Sequence, residues 1–339
     1  MATTIRKVEI SSFGDHTHVS IVSALLPAPE PKTVQVKVLY AGMAAADINM
    51  RLGIYPMQKK APLTPGYALV GRVHKNGPGS SKFHVGEIVA CLSIYDAQAE
   101  LANLPEKHLV RVPNGLDLQQ AVAVILDWNT AYGMVNRCAK VEKGQRVFIH
   151  GLSGGVGYAA LKLCQLNGAE VYGTASESNH ATLRAAGATP FVYSNKDWMA
   201  AMKSMGGAHV VFDGLAFESW EESISILAPE GGHMVGYGWN LNAVGGGQTR
   251  SIALTTAKLL ARNMLPFRKY RTSFHYIDRT SSHFEPELKA CFDLVLQGKI
   301  EPMIKQHLTL DEVPEAHRTY GRSKGIGSVV VKIADDIGI

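Results

Sequence analysis

A glycine-rich run near the middle of the chain has the residue types and spacing that bind a phosphate group. It reads Gly151-Leu-Ser-Gly-Gly-Val-Gly157, with a predicted strand over 146–150 before it and a predicted helix over 156–167 after it. In that context it matches the dinucleotide fingerprint, in which the paired glycines let the backbone approach a pyrophosphate and Gly157 lets the helix pack closely on its strand. The helix N-terminus adds free N–H groups and a positive dipole end. The run therefore predicts a dinucleotide-binding site.

The turn after the next predicted strand, 171–174, distinguishes the two nicotinamide cofactors, because an acidic residue there binds the ribose 2′-hydroxyl of NAD. That turn reads Ser176-Glu-Ser-Asn-His180, and Glu177 is its one acidic candidate. If Glu177 points inward, the turn indicates NAD. If it lies on the solvent side, Ser176 and Asn179 offer neutral hydrogen bonds that suit a 2′-phosphate. The turn favours NADP, used as NADPH.

Two different patterns along the chain predict the elements that hold this site. In the N-terminal third, short β-branched and alternating segments are separated by proline and glycine, which predicts a β-rich domain. From about residue 117, strands alternate with helical patterns, which predicts a doubly wound parallel sheet. We expect an α/β protein with a Rossmann cofactor domain over 119–275. A second domain comprises 1–118 and is completed by 276–339.

Composition places limits on the partners and the compartment. The chain has 339 residues, of which 46% are hydrophobic and 19% charged, with a formal charge of +5 that is spread along the sequence. The sequence has no block of basic residues of the kind that binds nucleic acid. No apolar run approaches the roughly 20 residues that a membrane span needs. The four cysteines are too far apart for a local metal pair or a disulfide framework. We expect a soluble, cytoplasmic protein without a targeting segment.

Six short motifs lie along the chain in an order that one family shares. They are Arg51-Leu-Gly-Ile-Tyr55, Pro65-Gly66, Thr130-Ala-Tyr132, Ser153-Gly-Gly-Val-Gly157, Gly231-Gly232 and Leu310-Asp-Glu-Val-Pro-Glu-Ala-His317. Together they resemble the medium-chain dehydrogenase/reductase superfamily over essentially the whole chain. The resemblance implies a GroES-like catalytic domain, built mainly from the first part of the chain, and a Rossmann NADP-binding domain.

The zinc alcohol dehydrogenases of that superfamily carry metal ligands at three points that differ here. Where they place a cysteine, a His-Glu pair and a further ligand, this chain has Ala44, Tyr67 with Ala68, and Leu126 beside Asp127. The clustered cysteines of their structural zinc lobe are also missing. A tetrahedral zinc site needs thiolate, imidazole or carboxylate ligands, and only Asp127 qualifies. We expect no zinc.

The chain instead resembles the zinc-free branch of quinone oxidoreductases and enoyl reductases, including fungal polyketide enoyl reductases. The stretch Asp47-Ile-Asn-Met50, followed by Gly53 and Tyr55, is similar to that of 2-enoyl thioester reductases, whose tyrosine at the Tyr55 position acts near the reacting carbon. A neutral phenol can donate a proton to a developing enolate, so Tyr55 is the candidate catalytic residue. The alternative is a loop tyrosine that packs on the domain edge.

The same resemblance implies a set of cofactor contacts. They are Ser153, Gly154, Gly155 and Val156 at the pyrophosphate, Ser176 and Asn179 at the 2′-phosphate, Tyr193 by the adenosine half, and Thr130, Val235 and Gly236 beside the nicotinamide. Relatives often carry an asparagine in place of Ala44 and a lysine in place of Ser328. These two departures leave the exact substrate open.

Three further side chains near these motifs have two interpretations each. His150 ends the strand ahead of the glycine run and is interpreted as an interior histidine with its ring nitrogens paired, rather than as an acid. Tyr237 and Trp239 follow Gly236 and either line the binding cleft or pack at a strand end.

The predicted activity is NADPH-dependent reduction of an activated C=C bond in an enone, quinone or enoyl thioester, because without zinc a hydride transfers most easily to a conjugated carbon. The partner is then a small α,β-unsaturated carbonyl compound. Two alternatives stay open: a carbonyl reductase or non-redox enzyme on the same fold, and a non-catalytic NADPH-binding protein. A homodimer is favoured over a monomer, through an edge strand within 268–276 whose basic residues oppose pairing.

Overall fold

The computed structural model describes residues 2–244, 250–264, 266, 269–322 and 324–336. They form two compact units. The first comprises Met1–Leu126, Asp278–Ser323 and Ser328–Ile339, and the second comprises Asp127–Ile277 and Lys324–Gly327. Arg268, the first residue of the expected edge segment, lies outside the described residues.

The N-terminal part of the chain is mostly strands, as its turn-rich pattern predicts. Elements are numbered along the chain, and this part contains β1 (Thr3–Ile10), β2 (Val19–Leu26), β3 (Thr33–Met43), α1 (Ala45–Arg51), β4 (Leu69–Asn76), β5 (Ile88–Cys91), β6 (Leu101–Pro105), β7 (Leu109–Arg111) and α2 (Leu118–Ala123). The first unit extends past residue 118 because α2 packs on β3 and β4 of that unit.

The middle part alternates strands and helices. It contains α3 (Asn129–Tyr132), β8 (Arg146–Ile149), α4 (Gly155–Leu166), β9 (Glu170–Ala175), α5 (His180–Ala185), β10 (Thr189–Val192), α6 (Asp197–Ser204), β11 (Val210–Asp213), α7 (Glu218–Ser225), β12 (His233–Gly236), α8 (Asn240–Val244), α9 (Ile252–Ala261) and β13 (Arg271–Phe274). Two π-helical turns, Val124–Trp128 and Gly133–Cys138, flank α3.

The C-terminal part returns to the first unit. It contains α10 (Phe284–Leu296), β14 (Ile304–Thr309), α11 (Val313–Thr319) and β15 (Ser328–Lys332). The main sheet of this unit has the order β14-β15-β3-β4-β5-β7, with β6 also pairing with β3. The pair β14 and β15 is parallel, whereas β3 runs antiparallel to β15, β4 and β6. β1 and β2 form a separate two-stranded antiparallel sheet.

The second unit is built on a six-stranded sheet in which every pairing is parallel. Its order is β10-β9-β8-β11-β12-β13, which is the 3-2-1-4-5-6 order of a dinucleotide-binding fold. The chain direction across the sheet reverses between β8 and β11. This confirms the predicted α/β fold class, a β-rich domain with a Rossmann doubly wound domain. β13 lies at one edge of the sheet.

Helix α4 shows how the sequence selects this arrangement. Helical spacing places Val156, Ala160, Leu163 and Cys164 on one face of α4. Val156 is partly buried and the other three are buried, so this face packs on the sheet. On the other side of the sheet, large aromatic side chains fill the core, among them Phe148, Trp198 and Trp220. Among the described residues, no helix is both long enough and apolar enough to cross a membrane.

A buried histidine in the first unit makes the stability of the protein depend on pH. His317 is 2% exposed, and neither of its ring nitrogens has a hydrogen-bond partner among the residues that the structure describes. Its carbonyl oxygen accepts a 2.7 Å hydrogen bond from Arg51 Nη1. Burial, and to a smaller extent the Arg51 guanidinium, lowers the pKa of His317 to about 3. The unfolded chain, with an ordinary histidine pKa of about 6.5, therefore binds the proton more tightly.

We expect His317 to destabilise the fold as the pH falls below about 6.5, by about 2 kcal/mol between pH 7 and pH 5. His317→Leu removes this contribution. Between pH 7 and pH 5, the free energy of unfolding measured by urea denaturation should therefore fall less in the variant than in the wild type. The control is His307→Leu at an exposed position. In this variant the free energy of unfolding should change between pH 7 and pH 5 as it does in the wild type. Equal pH dependence in the wild type and His317→Leu would contradict the expectation.

Candidate functional site

The glycine run forms a tight turn between β8 and α4. Gly151 has φ +73°, a left-handed conformation that favours glycine, and its carbonyl oxygen accepts a 3.0 Å hydrogen bond from Gly154 N–H. A methyl group at Gly157 would lie only 2.1 Å from that same oxygen. The first turn of α4 can therefore lie against the end of β8 only because residue 157 has no side chain.

Neighbouring strands hold the backbone just ahead of this turn. His150 N–H donates to the carbonyl of Phe212 on β11 (3.0 Å), and Leu152 N–H donates to the carbonyl of Thr174 on β9 (2.9 Å). Between them, Gly151 N–H donates to the Thr174 hydroxyl oxygen (3.2 Å). These bonds fix the position of the loop that follows.

The N-terminus of α4 has the donors that a phosphate needs. Gly154 is its N-cap and has no side chain to cap the helix. The N–H groups of Gly155, Val156 and Gly157 lie in the first turn, where a helix offers no internal acceptors. Ser153 lies beside them, and its carbonyl oxygen accepts from Gly327 N–H (3.0 Å). This arrangement fits a pyrophosphate.

The turn after β9 exposes its acidic residue. Ser176 and Glu177 are exposed, whereas Asn179 is buried and its N–H donates to the carbonyl of Ser176 (2.9 Å). Tyr193 comes directly after β10 and is 61% exposed. The hydroxyl of Ser176 and the ring of Tyr193 thus lie at the carboxyl ends of adjacent parallel strands.

Two buried positions on β12 match those expected beside a nicotinamide. Val235 is fully buried, and a methyl group at Gly236 would lie 2.8 Å from the Trp220 ring, so the strand end has no room for a side chain there. Thr130 on α3 is 5% exposed, and its hydroxyl has no hydrogen-bond partner within the part of the chain that the structure describes. A buried hydroxyl without a partner fits one that bonds to a bound cofactor.

The two aromatic residues after Gly236 differ in their surroundings. Trp239 packs in the core and stacks on Phe274 at a centroid distance of 4.9 Å, which favours the packing interpretation. Tyr237 is half-buried beside Gly214. Burial first, and then the carboxylates of Asp213 and Asp127, raise the pKa of Tyr237, so its phenol stays protonated near neutral pH.

The predicted cofactor residues that follow β8, β9, β10 and β12 therefore lie along the side of the sheet formed by the carboxyl ends of its strands. Because all six strands are parallel, their carboxyl ends meet on that side, which flanks the point where the strand order reverses. Open parallel sheets bind ligands at such points. The donors and glycines present there fit a dinucleotide.

The candidate catalytic residue lies in the first unit and pairs with a second tyrosine. Tyr55 is 9% exposed, and its hydroxyl donates to the Tyr67 hydroxyl over 2.5 Å. The two rings meet edge to face, with centroids 5.7 Å apart. By the resemblance described above, Tyr67 is the residue matched to the histidine of the His-Glu pair of zinc enzymes.

A buried carboxylate, Asp47, positions this tyrosine pair, although no sequence motif assigned a separate role to it. Its two oxygens accept hydrogen bonds of 2.8 Å each, one from Ala44 N–H and one from Gly66 N–H. Asp47 thus joins the start of α1 to the turn just before Tyr67. Burial raises the pKa of Asp47 to about 6, although both backbone bonds act to lower it. An acid three residues after a helix cap was the available signal.

The two departures from the family pattern also lie in the first unit. Ala44 caps α1, and Ser328 begins β15, where it is buried. Among the described residues, no group of three or more His, Cys, Asp or Glu side chains is arranged to hold a metal ion. The four cysteines form no disulfide.

Comparison with known proteins gives two family models and relatives that match nearly all of this chain. Residues 30–114 match the alcohol dehydrogenase GroES-like domain, and residues 186–331 match a model described as zinc-binding dehydrogenase. The synaptic vesicle membrane protein VAT-1 homolog of Danio rerio is 27% identical, over 97% of this chain and 70% of that protein. The 2-haloacrylate reductase of Burkholderia sp. is 27% identical, over 90% of this chain and 92% of that protein.

A solved structure shows the same fold. The quinone oxidoreductase of Pseudomonas syringae pv. Tomato DC3000 superposes with a TM-score of 0.82 at 24% identity, covering 98% of this chain and all of that one. Fold and site together define an oxidoreductase that binds a nicotinamide dinucleotide. The chain belongs to the medium-chain dehydrogenase/reductase superfamily, in its zinc-free quinone and enoyl reductase branch.

Proposed function

We propose that this protein uses NADPH to reduce an activated C=C bond of an enone, a quinone or an enoyl thioester. The observation that carries the proposal is the hydroxyl pair of Tyr55 and Tyr67. It places the proposed proton donor, Tyr55, in hydrogen-bond contact with Tyr67, the residue that the resemblance matches to a metal ligand of the zinc enzymes. A phenol can protonate a developing enolate without a metal. The reduced nicotinamide, when bound, supplies the hydride.

The names of the similar proteins support the same class of substrate. One is a quinone oxidoreductase and another a 2-haloacrylate reductase, and quinones and acrylates both carry a C=C bond conjugated with a carbonyl group. We assign the donor role to Tyr55, which corresponds to the tyrosine of 2-enoyl thioester reductases. In the structure the Tyr55 hydrogen is donated to the Tyr67 oxygen, so the Tyr55 hydroxyl must rotate away from Tyr67 to donate to a substrate.

The proposed cofactor contacts lie along the carboxyl ends of the parallel strands. Ser153, Gly154, Gly155 and Val156 bind the pyrophosphate, and Thr130, Val235 and Gly236 surround the nicotinamide. Ser176 and Asn179 receive the 2′-phosphate beside Tyr193. The exposed position of Glu177 supports NADPH, because a carboxylate directed at the ribose would repel the phosphate.

We expect NADPH to bind at least about tenfold more tightly than NADH, since one charge-assisted hydrogen bond contributes about 1.5–3 kcal/mol. Fluorescence titration measures both affinities. Glu177→Gln is the matched variant: if Glu177 faces solvent, the preference stays as in the wild type. Equal or stronger NADH binding, or a large gain in NADPH preference in Glu177→Gln, would overturn this assignment.

A substrate panel tests the reaction. NADPH oxidation is followed with enones, quinones and enoyl thioesters, and with simple aldehydes and saturated thioesters as controls. Turnover confined to the conjugated compounds supports the proposal. Turnover of aldehydes alone indicates a carbonyl reductase, and NADPH binding without turnover of any compound indicates a binding protein.

Assembly and compartment remain predictions. The strand β13 lies at the edge of the six-stranded sheet, as a homodimer through that strand requires. Its first residue, Arg271, is exposed and basic, which opposes edge pairing. The four cysteines form no disulfide, which agrees with a cytoplasmic site of action.

A further inference from the structure

A chain of buried hydrogen bonds runs beneath the phosphate loop. It starts at Asp213, at the end of β11, which is fully buried. One carboxylate oxygen accepts from Leu215 N–H (2.7 Å), and the other accepts from the hydroxyls of Ser219 and Ser223, each at 2.7 Å. Both serines lie on α7. The carboxylate is thus held by charge-assisted bonds from three directions.

The direction of the next bonds follows from the number of protons available. The Ser223 hydroxyl has one hydrogen, which it donates to Asp213. Its oxygen must then accept the 3.1 Å bond to His150 Nε2, so Nε2 carries the imidazole hydrogen. Burial lowers the pKa of His150, and the edges of Phe148 and Trp198 surround the ring, so the imidazole is neutral.

A neutral imidazole with its hydrogen on Nε2 leaves a lone pair on Nδ1. That nitrogen lies 3.3 Å from the Thr174 hydroxyl, which donates its only hydrogen to it. The Thr174 oxygen is then oriented to accept, and it accepts from Gly151 N–H at 3.2 Å. All the hydrogen bonds of this network are therefore donated in one direction, from the loop backbone toward the carboxylate of Asp213.

The hydrogen bond from Gly151 N–H to Thr174 is important because Gly151 contacts the other glycines of the loop. Its carbonyl oxygen accepts from Gly154 N–H and lies against Gly157, so a rotation of this peptide would displace the start of α4. Of the residues in this hydrogen-bond network, only Gly151 belongs to the glycine-rich loop. The effect of the network on a ligand must pass through the position of the loop.

We propose that His150 is a positioning residue for the cofactor: it relays the fixed carboxylate of Asp213 through Ser223 and Thr174 to Gly151, and so holds the loop in its pyrophosphate-binding form. This inference rests on the proposed cofactor site. It assigns to His150 a role different from acid catalysis, and it makes Ser223 and Thr174 determinants of dinucleotide affinity.

Two serine variants test the relay with closely matched changes. Ser223→Ala and Ser219→Ala each remove one buried hydroxyl that donates to the same Asp213 oxygen over the same distance, and the two residues lie one turn apart on α7. Only Ser223 bonds to His150. Isothermal titration with ADP, which carries the pyrophosphate, should show weaker binding by about two- to tenfold in Ser223→Ala and wild-type affinity in Ser219→Ala. Equal affinities in the two variants would overturn the proposal.

The threonine provides a rescue experiment. Thr174→Val removes the hydroxyl with little change of shape and should weaken ADP binding to a similar extent, while Thr174→Ser restores the hydroxyl and should restore the affinity. Loss in both variants would indicate a packing role and count against the relay. If the wild-type protein bound neither ADP nor NADPH, the proposed cofactor site itself would be wrong, which is a different result.

A spectroscopic measurement tests the direction of the bonds without a ligand. In ¹⁵N-labelled wild-type protein at pH 7, the His150 imidazole should be neutral with the hydrogen on Nε2, and its pKa should lie below that of an ordinary histidine. In Ser223→Ala, the Nε2–H loses its acceptor, and the tautomer populations should change. A wild-type imidazole with its hydrogen on Nδ1, or a charged imidazole, would contradict the relay.

Discussion

Gly157→Ala should destabilise the second unit and abolish tight cofactor binding. The added methyl group would lie 2.1 Å from Gly151 O and 2.9 Å from Gly151 C, which are backbone atoms that cannot rotate away. Either the first turn of α4 or the end of β8 must move. We expect a cost of about 3 kcal/mol, at the upper end of overpacking effects, and a melting temperature lower by roughly 6 to 12 °C.

The matched control is Gly154→Ala in the same loop. There the added methyl group would meet Gly151 O at 3.4 Å, an ordinary contact, and the backbone φ of −75° suits any residue. Gly154→Ala should therefore keep the wild-type melting temperature while weakening NADPH binding, because the methyl group lies where the backbone approaches the pyrophosphate. Thermal denaturation and fluorescence titration separate the two effects. A stable Gly157→Ala variant with wild-type NADPH affinity would show that the loop does not pack as described.

The parts of this site that the sequence predicted are those with local causes. The glycine run needs only a strand before it and a helix after it, and both were found where the pattern placed them. The apolar positions of α4 are likewise set by helical spacing within one segment. The interpretation of His150 as an interior histidine with paired nitrogens is confirmed by its bonds to Thr174 and Ser223.

The parts that the sequence could not predict depend on pairing between distant segments. Thr174 and Ser223 come from β9 and α7, so no local pattern names them as partners of His150. The short helix α1 was missed as well, since it begins after Ala44, which has no capping side chain, and is stabilised there by Asp47 instead. The contact between Tyr55 and Tyr67 depends on how Asp47 holds the turn at Gly66.

Tyr55→Phe should lower turnover on the preferred enone or thioester at least about tenfold and leave NADPH affinity nearly unchanged. General acid assistance contributes about 10² to 10⁴ in rate, and we expect the low end because a carbon can also take its proton from solvent after hydride transfer. The change removes one hydroxyl from the first unit and nothing from the phosphate loop. A loss of positioning alone would appear mainly in KM.

Tyr67→Phe is the variant that separates catalysis from stability. Both substitutions remove the 2.5 Å hydrogen bond between the two phenols, and urea denaturation measures the free energy of unfolding that each one costs. If Tyr55 donates the proton, kcat falls further in Tyr55→Phe than in Tyr67→Phe, whichever of the two proteins is the less stable. Equal losses of kcat would mean that the pair acts only as a structural unit. A larger loss in Tyr67→Phe would assign the donor role to Tyr67, because that phenol would then be the one whose hydrogen reaches the substrate.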